Sequence, residues 1–497
     1  LNILFIMTLS FARLRKPVYW WIIGYAVLWI IVSYLFDPTV PYDAVEAVNW
    51  GTNGGWGSPK NPWFVGFIMW PAIYGGIDFS FYWYFIHFVM IAIGLLGVWN
   101  LAYKLTKNYH LAWFAMLGLN LSGIINFDII PYNDNYILVG CWPWALYFFL
   151  CAINDNPKYW CGFAAVMGVA TMGKYSSLAL IGAVFLLSVL VPKVRQSYRS
   201  PYFYFAIAIW LAFVIPNFIW LWQNDFAAFK WVDSQIEARF NLRTLRAALT
   251  VFYPVLLMWG IVRLYGGRVS WRTSQDSQLL NFILLFPLAI IFIWFSFHEG
   301  GRITEWLQPF MSVATALFVG SISVIPKRSL RGVLYGLAVF GMLVVSGYTV
   351  VQAANVRNAG QKFIGVKTFV QDVENAWHQH YHQPLSYVGG EYMHEWITFY
   401  GKDRPLSAQP WIVEKDVQPP NIYNRHITLA QLEDKGVLLI GPVGYYCDKA
   451  HFDAGLQYWP SLKIADTQEV MFRSEPDALA EPVCIAFVSP KQQSEKL

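Results

Sequence analysis

Between residues 18 and 352 one apolar run follows another, separated by short polar connections. Runs of this kind have to cross a hydrocarbon core of about 30 Å. In lipid every backbone N–H and C=O must find a partner within the protein, and helices meet that demand segment by segment. The runs predict roughly eleven spans, near 18–36, 80–103, 111–127, 135–153, 160–173, 175–192, 202–222, 247–266, 279–297, 305–325 and 332–352. The fifth is short, and 63–76 is broken by glycine and proline, so that segment is expected to lie along the surface. Beyond residue 353 the apolar runs shrink and charges return. The expected fold class is a polytopic α-helical membrane protein of about 11 transmembrane helices with a C-terminal α/β domain, divided as residues 1–352 and 353–497.

Composition excludes the main soluble alternatives. The chain is 57% hydrophobic and 13% charged, with mean hydropathy +0.40, a balance foreign to a soluble enzyme of this length. The net charge of +5 is read as cytoplasmic-loop lysine and arginine, with no basic-aromatic patch that would bind nucleic acid. Leu1 to Met7 is apolar but precedes Arg13, Arg15 and Lys16, and no small-residue cleavage site follows. A cleaved leader is therefore not expected, and the first span is read as an anchor.

Lysine and arginine counts orient the spans. With the N-terminus inside, the inner connections gather Arg13 to Lys16, Lys193 to Arg199, Arg263 to Arg272 and Lys327 to Arg331, against a sparser outer set. An odd number of crossings then puts the C-terminal domain outside, together with Asp43, Glu46, Asp128, Asp134, Glu299 and Glu305. A membrane enzyme working at its outer face is the economical reading.

Pro41 to Trp50, running on to Gly57-Ser-Pro-Lys-Asn-Pro-Trp63, carries the strongest chemical signal. Asp43 and Glu46 are three apart and share one face of a helix. Charges so close to a bilayer need a partner or a task, and Lys60 follows within the same loop. In the connection Asn126 to Asn135, Asp128 and Asp134 are either solvated or cap the next helix, or they belong to the reaction centre. Lys174 is a snorkelling helix-end lysine or a phosphate contact. Arg302, beside a Gly-Gly turn, can pair with Glu299 or Glu305 or clamp a phosphate. His87 and His110 are read as a packed histidine and a loop residue. Cys141, Cys151 and Cys161 are core cysteines, whereas Cys447 and Cys484, alone in the outer domain, are expected to form a disulfide.

Taken in order, these pieces resemble the bacterial GT-C glycosyltransferases, relatives of the dolichyl-phosphate-mannose protein mannosyltransferases and of the lipid A aminoarabinose transferase. Asp43, Glu46, Trp50, Gly51, Gly57, Lys60 and Pro62 match the family's first outer loop; Asn61 replaces a histidine and Trp63 a proline. Tyr132-Asn133-Asp134, Gly173-Lys-Tyr175-Ser176, Pro216 to Trp220 with Asn224-Asp225, Trp306 with Pro309, and Val388 to Tyr392 extend the match. The resemblance implies a GT-C fold and transfer of a sugar from a polyprenyl (undecaprenyl) phosphate donor to a periplasmic acceptor. That acceptor would be lipid A or another envelope glycan, with a protein hydroxyl second. Asp43 inherits the base or orienting role, with Glu46 and Asp134 as catalytic partners. Lys60, Lys174 and Arg302 would hold the donor phosphate, and Trp50, Asp128, Tyr132, Asn133, Tyr175, Glu299 and Trp306 would line the pocket. Some members bind a divalent cation, Mg²⁺ or Mn²⁺, for which Asp43 and Glu46 are the candidate ligands. The expected setting is a monomer in the bacterial inner membrane. A secondary transporter is the rival class, but no inverted repeat is visible.

Overall fold

The computed structural model describes residues 2–126, 133–240, 243–265, 267–271, 273–300, 303–325, 330–354, 363–408, 427–456, 459–475 and 477–491. Its principal helices are α1 (Asn2–Phe36), α2 (Tyr42–Asn53), α3 (Phe79–Thr106), α4 (Tyr109–Gly118), α5 (Tyr136–Asn154), α6 (Tyr159–Gly173), α7 (Leu178–Leu190), α8 (Pro201–Gln223), α9 (Arg243–Leu264), α10 (Gln275–Phe297), α11 (Ile303–Ser321), α12 (Arg331–Ala353), α13 (Val366–Tyr381) and α14 (His394–Tyr400). A helix lies at each of the eleven expected spans. Among the described residues, six are long and apolar enough to cross a membrane: Pro17–Phe36, Phe79–Thr106, Tyr136–Asn154, Pro201–Gln223, Gln275–Phe297 and Arg331–Ala353. A bent pair, Tyr175–Leu190 with Pro192–Arg199, makes a seventh if counted as one span. The segment 63–76 forms two short helices, Phe64–Phe67 and Trp70–Gly75.

Two compact units emerge. The first comprises Leu1–Leu35, Tyr84–Pro216 and Val232–Val350; the second comprises Phe36–Trp83, Asn217–Trp231 and Val351–Leu497. The second unit draws the first loop and the Asn217–Trp231 segment together with the C-terminal region.

Within the first unit, helices approach closely where side chains are smallest. A Cβ on Gly94 would stand 2.3 Å from the Val139 carbonyl oxygen, and one on Gly168 would stand 2.6 Å from the Phe213 ring. Residues expected at alternate helix ends meet one another. Lys104 pairs with Asp155, and Asp276 takes Lys193 at 3.0 Å and Asn154 at 2.8 Å. Asp134 meets Lys174.

In the second unit, strands β1 (Tyr387–Gly390), β2 (Leu406–Ser407), β3 (Val437–Val443), β4 (Asp466–Phe472) and β5 (Glu481–Val488) form one sheet in the order β2-β1-β3-β5-β4. β1 runs parallel to β2 and β3, while β5 is antiparallel to β3 and β4. Side chains alternate along β3 and β5, so both faces are covered. Val437, Leu439, Cys484, Ala486 and Val488 pack with Leu432, Phe452 and Leu462 on one side. On the other, α13 lays Trp377 against Phe487 at 6.4 Å and Phe369 against Phe472 at 5.6 Å. A disulfide joins Cys447 to Cys484 across 37 residues.

Candidate functional site

Helix α2 places the two carboxylates. Asp43 in its first turn complements the helix dipole, and Gly54, at φ 63°, caps the far end by donating its N–H to the Trp50 carbonyl at 3.0 Å. The helix is almost wholly buried, Asp43, Glu46 and Trp50 included. It packs backbone to backbone on Phe64–Phe67: a Cβ on Gly51 would stand 2.5 Å from the Gly66 carbonyl oxygen. Trp70 Nε1 donates to the Gly51 carbonyl at 2.9 Å.

Lys60 is delivered by a tight turn. Ser58 N–H donates to the Asn61 carbonyl at 3.0 Å, Asn61 N–H donates to Ser58 Oγ at 2.8 Å, and Gly57 bridges Pro62. Gly57 is required here because a Cβ would lie 2.3 Å from the Trp220 indole. Asn217 Nδ2 also donates to the Trp56 carbonyl at 2.8 Å, so the segment Asn217–Trp231 clamps the turn.

The result is a buried ion triad. Lys60 Nζ stands 3.2 Å from Asp43 Oδ1 and 2.6 Å from Glu46 Oε2, with the three side chains 11%, 9% and 8% exposed. The Trp231 ring lies 5.7 Å from the ammonium, a cation–π contact. Residues spaced three apart on a helix and one lysine fourteen positions on from Glu46 thus form one charged centre.

A fourth ionisable group, missed in the sequence reading, belongs to it. Glu395 on α14 is buried, and that burial, reinforced by the nearby Glu46 charge, pushes its carboxyl up to about 8, against smaller opposing effects from Tyr42 and Lys60. It is therefore neutral at pH 7. Tyr42, at the start of α2, packs on Tyr392 at 6.1 Å and Trp396 at 6.0 Å. An acid inside the otherwise apolar run Glu395-Trp-Ile-Thr-Phe-Tyr400 was the available signal.

In the first unit, Asp134, 1% exposed, accepts from Lys174 Nζ at 2.9 Å. The neighbouring amides are pinned: Asn133 Nδ2 and Asn135 Nδ2 both donate to Gln308 Oε1, at 3.1 and 2.7 Å. Tyr175 is half-buried in the 3₁₀ turn after Lys174, and Trp306 packs on Phe295 at 5.3 Å. Asp128, Tyr132 and Arg302, and the side chains of Glu299 and Glu305, lie outside the described residues. His87 is buried against Tyr136 and Phe88 at 4.7 and 5.0 Å.

Mg²⁺ and Mn²⁺ require a shell of oxygen ligands, whereas Asp43 and Glu46 share an ammonium. Among the described residues no group of three His, Cys, Asp or Glu is placed to hold an ion. As placed, both carboxylates accept from Lys60.

Comparison with known proteins gives three findings. Residues 58–220 match the family model described as dolichyl-phosphate-mannose-protein mannosyltransferase. The crystal structure of ArnT from Cupriavidus metallidurans bound to undecaprenyl phosphate superposes with a TM-score of 0.61 at 14% identity, covering 95% of this chain and 98% of that one. The apo state of the same protein gives 0.59 at 14% identity over the same shares. No curated protein matches the sequence.

Proposed function

We propose that this chain, which has the fold of the GT-C glycosyltransferases, transfers a sugar from a polyprenyl phosphate donor to an acceptor at the outer face of the bacterial inner membrane. The observation that carries the reading is the buried triad Asp43–Lys60–Glu46, held by the loop that resembles the family's first outer loop. Charges buried this deeply are costly to keep for stability alone. They also supply the two functions that the reaction needs.

In the proposed step Asp43 accepts the proton of the acceptor hydroxyl while that oxygen bonds to the anomeric carbon. The bond from that carbon to the phosphate oxygen breaks, and polyprenyl phosphate leaves with the electron pair. A positioned carboxylate base contributes about 10²–10⁴-fold. Lys60 offsets the negative charge gathering on the leaving phosphate, as fixed charges in a water-poor site do most effectively. Lys174 and Arg302 are proposed to share that task, and Glu46 keeps Lys60 aligned. Glu395, uncharged at neutral pH, adds no repulsion against the departing phosphate. Asp134 is proposed to fix Lys174, with Trp50, Asp128, Tyr132, Asn133, Tyr175, Glu299 and Trp306 shaping the pocket.

Lipid A or another envelope glycan is the proposed acceptor, resting on the resemblance of the outer-loop residues to the lipid A aminoarabinose transferase. A protein hydroxyl is the second reading, favoured by the match of residues 58–220 to the mannosyltransferase model. Mass spectrometry of lipid A, glycolipids and glycoproteins from cells with and without the gene separates the two. Asp43→Asn should abolish the mass increment while the protein is still made and inserted. Retained transfer by that variant removes Asp43 from the chemistry.

A further inference from the structure

The second unit holds a cavity of about 170 Å³ for which the proposed transfer has no use. It is walled by α2, by Phe79 and by the segment from Arg404 to Ser407. At about 100° per residue, Asn49 and Thr52 point roughly 120° around α2 from the face that carries Asp43 and Glu46. The cavity is thus a different site from the ion triad. Ser407 ends β2, and open α/β sheets present ligands beyond the carboxyl ends of their parallel strands. The volume is about half the lower limit for drug-sized ligands, room for a single sugar-sized molecule.

The polar lining is asymmetric in its chemistry. Thr52 Oγ1 donates to the Val48 carbonyl at 2.8 Å, and Thr398 Oγ1 donates to the Glu395 carbonyl at 2.7 Å. His394 Nδ1 donates to the Glu391 carbonyl at 2.8 Å, which leaves Nε2 to accept from Ser407 Oγ at 2.7 Å. Burial holds that imidazole neutral, its pKa lowered to about 4. Asn49 Nδ2 donates to the Val45 carbonyl at 3.1 Å, leaving its amide oxygen as an acceptor. Thr52, Thr398 and Ser407 have each spent their hydroxyl hydrogen on the protein and offer oxygen lone pairs, as does the Asn49 amide oxygen. The cation in the lining is Arg404. Its backbone sits at φ 50°, in the left-handed region that non-glycine residues seldom occupy. Its guanidinium lies 4.6 Å over the Phe79 ring, and no carboxylate pairs with it among the described residues.

We propose that this cavity binds a monosaccharide-sized polyol bearing one phosphate or carboxylate, its anion on Arg404 and its hydroxyls donating to Asn49, Thr52 and Ser407. The site does not depend on the glycosyl-transfer reading. Its ligand is either the headgroup of a membrane glycolipid or a free sugar phosphate.

Calorimetry on the full-length protein in nanodiscs tests this, with hexose 6-phosphate, the free hexose and inorganic phosphate as probes. Hexose 6-phosphate should bind at least tenfold more tightly than either fragment. Arg404→Ala should weaken it at least tenfold. Thr52→Val, which keeps the shape and removes an acceptor, should weaken it about threefold and guards against misfolding of the first variant. Nanodiscs carrying a glycolipid with a phosphorylated headgroup should displace the probe if the ligand is lipid-borne, and leave it bound if the ligand is soluble. Absence of saturable binding, equal affinity for inorganic phosphate, or undiminished binding in both variants overturns the proposal. Because no transfer is measured, such a failure leaves the reading of the ion triad standing.

Discussion

Replacing Lys60 by methionine removes the ammonium and keeps most of the stem. At an effective dielectric of about 20, separations of 3.2 and 2.6 Å correspond to gross attractions of about 5 and 6 kcal/mol. Desolvation of three charges cancels much of this. What the variant exposes is the converse cost, two buried carboxylates with no cation between them, about 3–5 kcal/mol. Glu46→Gln in the same background discharges one of the two and keeps its shape, so it should recover about 2 kcal/mol of that loss. In the wild-type background the same change removes a favourable partner and should destabilise. Reversible SDS unfolding of the purified wild type, both single variants and the double variant measures the coupling free energy, expected to be about 2 kcal/mol or more. A coupling below about 0.5 kcal/mol, the level at which independent sites simply add, would refute the triad as an energetic unit. Donor affinity should also fall in Lys60→Met, since the cation proposed to face the phosphate is gone.

The C-terminal region gives two more predictions. Glu395 has a folded-state pKa near 8 against an ordinary 4.5. Between those values the folded protein holds a proton that the unfolded chain has released, so stability should fall as pH rises from about 4.5 to 8, by up to about 1.4 kcal/mol per unit, and level off above. Glu395→Gln should lack that fall; unfolding curves at pH 5, 7 and 9 that run parallel in the two proteins would contradict it. Exchanging Cys447 and Cys484 for serine opens a loop whose ends are 37 residues apart. The expected cost is about 4 kcal/mol from chain entropy, read as earlier proteolysis of the C-terminal region; unchanged protease resistance would rule it out.

The helices were legible because apolar runs announce themselves one segment at a time; a helix stands within each expected stretch, and among the described residues six are long and apolar enough to cross a membrane. Asp43 and Glu46 could be placed on one face for the same local reason. That Lys60 reaches both depends on the Ser58–Asn61 turn and on Trp220 lying over Gly57, contacts that periodicity does not encode. Their shared loop, and then the resemblance, drew Lys60 toward them. Glu395 was missed because its environment is assembled from distant segments: it lies far along the chain from Glu46, whose charge raises its pKa. The polar cavity escaped notice for a similar reason. Asn49 and Thr52 read as ordinary helix residues until the strand ending at Ser407 is laid beside them.

Trp220 over Gly57 has a consequence for biogenesis. The turn that presents Lys60 is held by a segment synthesised much later, and Glu395 arrives later still. A nascent chain already carrying Asp43, Glu46 and Lys60 therefore lacks the surroundings that keep water from their charges. Such an intermediate lacks the groups that enclose the triad, so the centre is complete only once the segment holding Glu395 has been made.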